Sequence, residues 1–261
     1  MPATRHEKYV WRTEQSTPRL LAVIAVSTIA KSPLLEGVDP ETVKTIASAL
    51  TKETWPKGRQ IVGPAATTAS FRLVLDGRVK VVRSSSGDGH ELTLWLLGPG
   101  DGFDIVSLLD GKPHAVTAWA LDDVRTLSGP VSLWREWLGR HRTLDVAAHR
   151  YVAERLRDLS DLAGDLALHD TSTRVAHLLL RHFDAKGHNL LHDLPQRELA
   201  SMIGSVRIVV SRALAQLRRR GVVELRDGTI RVVDLKRLLA NAEAELADRR
   251  VASPASKADR R

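Results

Sequence analysis

Arg207 and Arg212 are the residues with the plainest chemistry in this chain. A guanidinium is always charged and offers a fork of donors with no acceptor, so it binds phosphates and base edges rather than moving protons. The pair sits in Arg207-Ile208-Val209-Val210-Ser211-Arg212-Ala213-Leu214. Helical spacing predicts that Val209, Val210, Leu214 and Leu217 turn inward, leaving Arg207, Ile208, Ser211 and Arg212 exposed on the first turns. Before it, Leu199, Met202 and Ile203 form the apolar side of a shorter helix, and Gly204-Ser205 supplies a tight turn. Helix, glycine turn and helix is the arrangement that lays one helix N-terminus against base edges in a major groove.

The surroundings extend that reading. Arg218-Arg219-Arg220-Gly221 closes the second helix with cations at its negative end and glycine at the stop. Val222 to Leu225 and Thr229 to Val233 flank Asp227-Gly228, a hairpin signal that predicts a wing. Leu194 to Arg237 carries ten Lys or Arg against four Asp or Glu, while the whole chain of 261 residues has a net charge of +8. Most of the excess therefore lies in one small module, as phosphate neutralisation requires.

Composition removes other chemistries. There is no cysteine, which excludes disulfides, thiolate metal sites and cysteine nucleophiles. Ten histidines are present, but none is paired at a spacing that demands a metal, so no catalytic or metal residue is assigned. A cupin-like metal-dependent enzyme would need His-x-His and further ligands on adjacent strands, and only His90 and His114 fall in the β-rich region. The chain therefore reads as a non-enzyme. A non-specific architectural DNA binder is the other alternative. The apolar stretch from Leu20 to Ala30 is too short to span a bilayer and lies too far from the N-terminus for a signal peptide, predicting a cytoplasmic protein with no membrane partner.

The elements that must position the module are legible in outline, and the fold class is α+β. Residues 1–32 form an N-terminal extension. Residues 33–142 hold a helix opened by Asp39-Pro40-Glu41, then short runs at Gln60 to Gly63, Phe71 to Gly77, Arg78 to Val82, Leu92 to Leu97 and Ala115 to Leu127. Glycine-punctuated strands of this kind predict an antiparallel β jelly-roll, with Trp55, Trp95 and Trp119 filling its core. Residues 143–170 form a long helix whose stripe of Leu144, Ala148, Val152, Leu156, Leu159, Ala163 and Leu166 suits a homodimer seam. The competing reading packs that helix on its own roll. A helix from Ser172 to Phe183 leads into the winged helix-turn-helix of 171–240, and 241–261 reads as a flexible tail.

Roll, long helix and winged helix in this order resemble the Crp/Fnr family of bacterial transcription regulators over about residues 33 to 240. The most specific matches are Gly77-Arg78-Val79-Lys80-Val81, Leu97-Gly98-Pro99-Gly100-Asp101, Ser107-Leu108-Leu109-Asp110-Gly111 and the helix-turn-helix. The resemblance implies a homodimer on a palindromic double-stranded DNA operator, with RNA polymerase as a further partner if it activates. It also implies a hinge at Asp170 and phosphate contacts from Gln196 and Arg197, which set register rather than sequence. The family commonly presents Arg-Glu-x-x-x-Arg; here Ile208 replaces the glutamate, which implies a different half-site.

The effector motif departs further. Cyclic-nucleotide-binding members carry Gly-Glu-Leu and, later, Arg-Ser; the matching residues are Asp104-Ile105-Val106 and His114-Ala115. The ribose-binding glutamate and phosphate-binding arginine are gone, and a carboxylate stands near the expected phosphate, so cyclic AMP is not expected to bind. Leu159 and Ser160 take the positions that contact the base. With Ile105, Val106, Ala115 and Trp119 as pocket lining, an apolar ligand, haem and an empty roll all stay open, and no cofactor is assigned.

Overall fold

The computed structural model describes residues 26–85, 87, 90–182, 190–226, 229–240 and 242. The extension as far as residue 25, Phe183, His188, the Asp227-Gly228 turn and most of the tail lie outside them. Helix α1 (Pro40–Ala49) starts as the sequence predicts. Asp39 is its N-cap, accepting from the Thr42 amide, and proline takes the first position.

Eight strands then build two antiparallel sheets. They are β1 (Thr51–Trp55), β2 (Gln60–Val62), β3 (Ser70–Asp76), β4 (Val79–Ser84), β5 (Glu91–Leu97), β6 (Gly102–Phe103), β7 (Thr117–Ala120) and β8 (Val124–Pro130). One sheet runs β1-β8-β3-β6 and the other β2-β7-β4-β5. The run expected as one strand from Ala115 to Leu127 is thus two strands in different sheets, broken between Ala120 and Val124. A short helix α2 (Ile105–Asp110) closes the roll between β6 and β7.

The tryptophan expectation needs correcting. Trp55, Trp95 and Trp119 are only partly buried, and the sheet interior is filled instead by Val74, Val79, Leu97, Phe103 and Val124. Among the described residues the fully buried indole is Trp134, on helix α3 (Val131–Arg140), which the sequence reading leaves without a helix. Trp134 meets Phe71 and Trp137 edge to face at 5.0 and 5.2 Å, pinning α3 beneath the roll.

Helix α4 (Arg142–Leu168) is the long helix. It has an inward stripe that a purely apolar reading misses: Leu144, Ala148, Tyr151, Arg155, Leu162 and Asp165. Leu144, Ala148 and Tyr151 belong to the core beneath the roll. Two members of the expected seam are therefore occupied by the chain's own roll. Val152 packs partly against the same core, and Leu166 reaches the turn at Gly204. Leu156 and Ala163 remain exposed, with Leu159 half-buried between them.

The backbone leaves the helical conformation at His169 and Asp170, and Asp170 caps helix α5 (Thr171–Arg181) by accepting from the Thr173 amide. Helix α6 (Gln196–Met202), helix α7 (Arg207–Arg219) and the hairpin β9 (Val223–Arg226) with β10 (Thr229–Val232) complete the module. Its core gathers Val175, Leu179, Leu199, Met202, Ile203, Val210, Leu214, Leu217 and Ile230.

Candidate nucleic-acid interface and sensor cavity

Helix α7 buries Val210, Ala213, Leu214 and Leu217, with Val209 half-buried. Arg207, Ile208, Ser211 and Arg212 all stand exposed on its opening turns, and Ile208 is 65% accessible. Val206, just before the helix, is exposed as well at 52%, and an exposed isoleucine between Arg207 and Arg212 is suited to an apolar contact such as a thymine methyl. The turn that aims the helix is fixed by sterics. Gly204 has φ +57°, and a Cβ there would lie 2.5 Å from Leu166 Cδ2. Arg174 on α5 donates to the Ile203 carbonyl at 2.8 Å, holding the same turn from behind. Gln196 and Arg197 occupy the first positions of α6, with the Arg197 side chain largely exposed.

The inner face of α6 docks on the chain's own roll. Lys80 on β4 reaches the buried Glu198 at 2.8 Å and Glu91 at 3.2 Å. Thr93 and Ser201 share a hydroxyl–hydroxyl bond of 2.7 Å, and Leu96 of β5 enters the module's core. Arg78 is held by Asp122 on the roll and donates to the carbonyls of Leu190, at 2.9 Å, and His192. This contact uses α6 and leaves the opening turns of α7 exposed.

The sensor cavity is small. A void of about 40 Å³ lies between the sheets and α4, lined by Val62, Val81, Leu97, Phe103, Ile105 and Val106 among others. At roughly 10–15 Å³ per water it has room for no more than a few solvent molecules. Ala115 and Trp119 do not line it, and neither do Leu159 and Ser160, contrary to expectation. Ala115 points to solvent, and Leu159 and Ser160 sit lower on α4, where Ser160 borders a separate groove.

Asp104 and His114 do line it, as a locked pair. Asp104 adopts the left-handed region, φ 68° and ψ 51°, at the position where the cyclic-nucleotide motif has glycine. That conformation costs a non-glycine residue about 1–2 kcal/mol. Its carboxylate repays this locally by accepting from Ser107 Oγ at 2.6 Å and lying 2.9 Å from His114 Nδ1. Sequence reasoning missed the opposite wall. Tyr151 is buried, and its hydroxyl donates to the Gly102 carbonyl at 2.9 Å and accepts from the Gly102 amide at 3.2 Å. Arg155 lies over the Tyr151 ring and 3.6 Å from Asp101. Burial pushes the Asp101 carboxyl up against the opposing pull of Arg155, and burial also raises the Tyr151 phenol. The i,i+4 spacing of Tyr151 and Arg155 was the available signal.

Comparison with known proteins covers both halves. Residues 52–141 match a cyclic nucleotide-binding domain and residues 173–240 a Crp-like helix-turn-helix domain. A cyclic AMP receptor protein from Thermus thermophilus is 36% identical over 206 residues, covering 77% of this chain and 92% of that one. A CRP-like cAMP-activated global transcriptional regulator from Mycobacterium tuberculosis is 28% identical over 220 residues, 82% of this chain and 98% of the relative. FixK2 from Bradyrhizobium japonicum shares the fold, with a TM-score of 0.66 at 23% identity over 73% of this chain and 96% of that structure.

Proposed function

From the membership of this chain in the Crp/Fnr family of DNA-binding transcription regulators, we propose that it binds a two-fold symmetric operator as a homodimer, and does so without cyclic AMP. The observation that carries the DNA reading is the exposed quartet Arg207, Ile208, Ser211 and Arg212 on the first turns of α7. Two such helices in a symmetric pair fall about one helical turn apart on duplex DNA, which fits successive major grooves. Arg207 and Arg212 read guanine through O6 and N7, Ile208 rests on a methyl, and Gln196 and Arg197 hold phosphates. RNA polymerase is the partner if the bound protein activates.

The effector reading rests on Asp104 and His114. The cyclic phosphate of a nucleotide needs a cation and a donor-rich turn. Here a carboxylate already spends its oxygens on Ser107 and His114, beside a void of about 40 Å³. Desolvating an anion next to that carboxylate is unfavourable. The relatives named for cyclic AMP favour a second reading, in which the nucleotide binds and the roll opens to admit it. Calorimetric titration of cyclic AMP into the purified protein separates the two. No heat of binding is expected into the millimolar range; a micromolar isotherm would defeat the proposal. Footprinting on the chain's own promoter, with and without the nucleotide, should give the same symmetric protection in both lanes.

A further inference from the structure

Asp165 and His169 are one turn apart at the end of α4, and His177 lies across the break on α5. One ligand atom from each falls within 4.8 Å of the others. The His169 and His177 rings meet edge to face at 5.0 Å, and His177 Nδ1 lies 2.6 Å from Asp165 Oδ1. The Asp165 side chain is only 6% exposed. Its second oxygen has Arg181 Nη2 at 2.8 Å, yet off the line of a hydrogen bond, so that buried oxygen accepts none among the described residues. A groove of about 350 Å³ opens beside the three groups, bordered by Ser160, Asp161 and Gly164. At Gly164 the space where a Cβ would stand is open.

We propose that Asp165, His169 and His177 form a divalent transition-metal site that ties the end of the long helix to the first helix of the DNA module. Two imidazoles and one carboxylate are the donor set of three-ligand zinc centres, with water filling the fourth position. The same nitrogen and oxygen donors take cobalt and nickel, and the absence of thiolates disfavours softer ions. Ligand bonds of about 2.0–2.2 Å require the side chains to close by side-chain rotation, for which the groove leaves room. The His177–Asp165 bond widens and the His169 ring swings inward. Arg181 stays on the far carboxylate oxygen and compensates its charge. Because the ligands come from both sides of the break at His169 and Asp170, an ion there restrains the joint between the two helices. The bland reading makes Asp165 an ion-pair hub for His177 and Arg181 with no ion at all.

Cobalt decides between them, because its visible spectrum reports coordination directly. Titrating Co²⁺ into the full chain should give a tetrahedral ligand-field band saturating at one ion per chain and displaced by Zn²⁺. His169→Gln and His177→Gln should each abolish the band with the circular dichroism unchanged, while His90→Gln, in the roll, should keep it. Hydrogen exchange at residues 168–173 should slow by at least about tenfold on saturation, as for any opening opposed by a bound ligand. A band that survives both variants, or an octahedral aqueous spectrum at protein excess, overturns the proposal. Should His177→Gln fail to fold, His169→Gln alone decides, since that ring sits at a helix end. None of these readouts involves DNA, so their failure leaves the operator reading intact.

Discussion

At the scale of single residues, the α7 quartet separates two kinds of contact that are both cationic. Arg207→Ala and Arg212→Ala should each relax the preference at one base pair per half-site, a loss of about 1–3 kcal/mol of discrimination. Arg197→Ala should weaken all duplexes alike and lower the salt slope by about one. Competition binding against single-base operator variants at two salt concentrations reads both effects. Identical behaviour of Arg207→Ala and Arg197→Ala across operators would show that the roles are misassigned. These residues were legible because exposure on a short amphipathic helix follows from spacing alone. Asp104 was legible only as a departure from a motif. That its carboxylate is already spent on Ser107 and His114 depends on a left-handed backbone that no spacing rule announces. Tyr151 and Arg155 stayed hidden because polar side chains interrupt the apolar stripe of α4.

At the scale of elements, the contact between β4–β5 and α6 sets how freely the DNA module moves. Glu198 is buried, so removing Lys80 leaves a charge desolvated with, among the described residues, the Arg197 guanidinium at 3.3 Å. Breaking a buried pair from one side costs about 3–5 kcal/mol. Lys80→Met should therefore speed amide exchange in α6 by at least about tenfold while the roll's own sheets stay protected. Unchanged protection in α6 would show that Leu96, the Thr93–Ser201 bond and the Arg78 bonds suffice without it. A second device at the same seam responds to acid. His182 borders a cavity with Arg155, Arg181, Asp101 and Asp158. Burial above all, and then the cations Arg181 and Arg155, lower its pKa to about 4. The folded state therefore binds fewer protons than the unfolded chain between about 6.5 and 4, so stability is full above this window and falls as pH drops through it. Urea unfolding at pH 5 should show roughly 2 kcal/mol less stability than at pH 7.5, and His182→Asn should remove most of that difference. The interdomain contacts were invisible in the sequence, since Lys80 and Glu198 lie on elements that periodicity reads one at a time. Helix α3 was missed for a related reason. Its tryptophans are core residues of the roll, and Val131 to Arg140 shows no cap residue at its start.

At the scale of the whole molecule, the proposed homodimer raises the question of which surface of α4 would meet a second copy. Leu144 and Ala148 are taken by the roll's core, Val152 is partly so, and Leu166 abuts the turn at Gly204. What remains outward is the short row Leu156, Leu159 and Ala163, with Leu156 66% exposed in the single chain. Three and four residue spacing keeps this row on one face, adjacent to the inward stripe rather than on it. In the proposed homodimer, a chain that exposes leucine there has its seam confined to about two turns of helix. One charged substitution should then be enough to part the copies. Leu156→Asp would set two carboxylates against each other across the axis without touching the roll's core. Light scattering should give a particle of one chain for the variant and two for the parent at the same concentration. Operator binding should fall by at least about a hundredfold, because each module must then bind its half-site alone and the gain from linkage disappears. Binding to non-operator duplex at low salt should change far less, since that term depends on phosphate neutralisation per module. If Leu156→Asp stayed paired, the copies would meet through another surface, and the row on α4 would have to be reassigned.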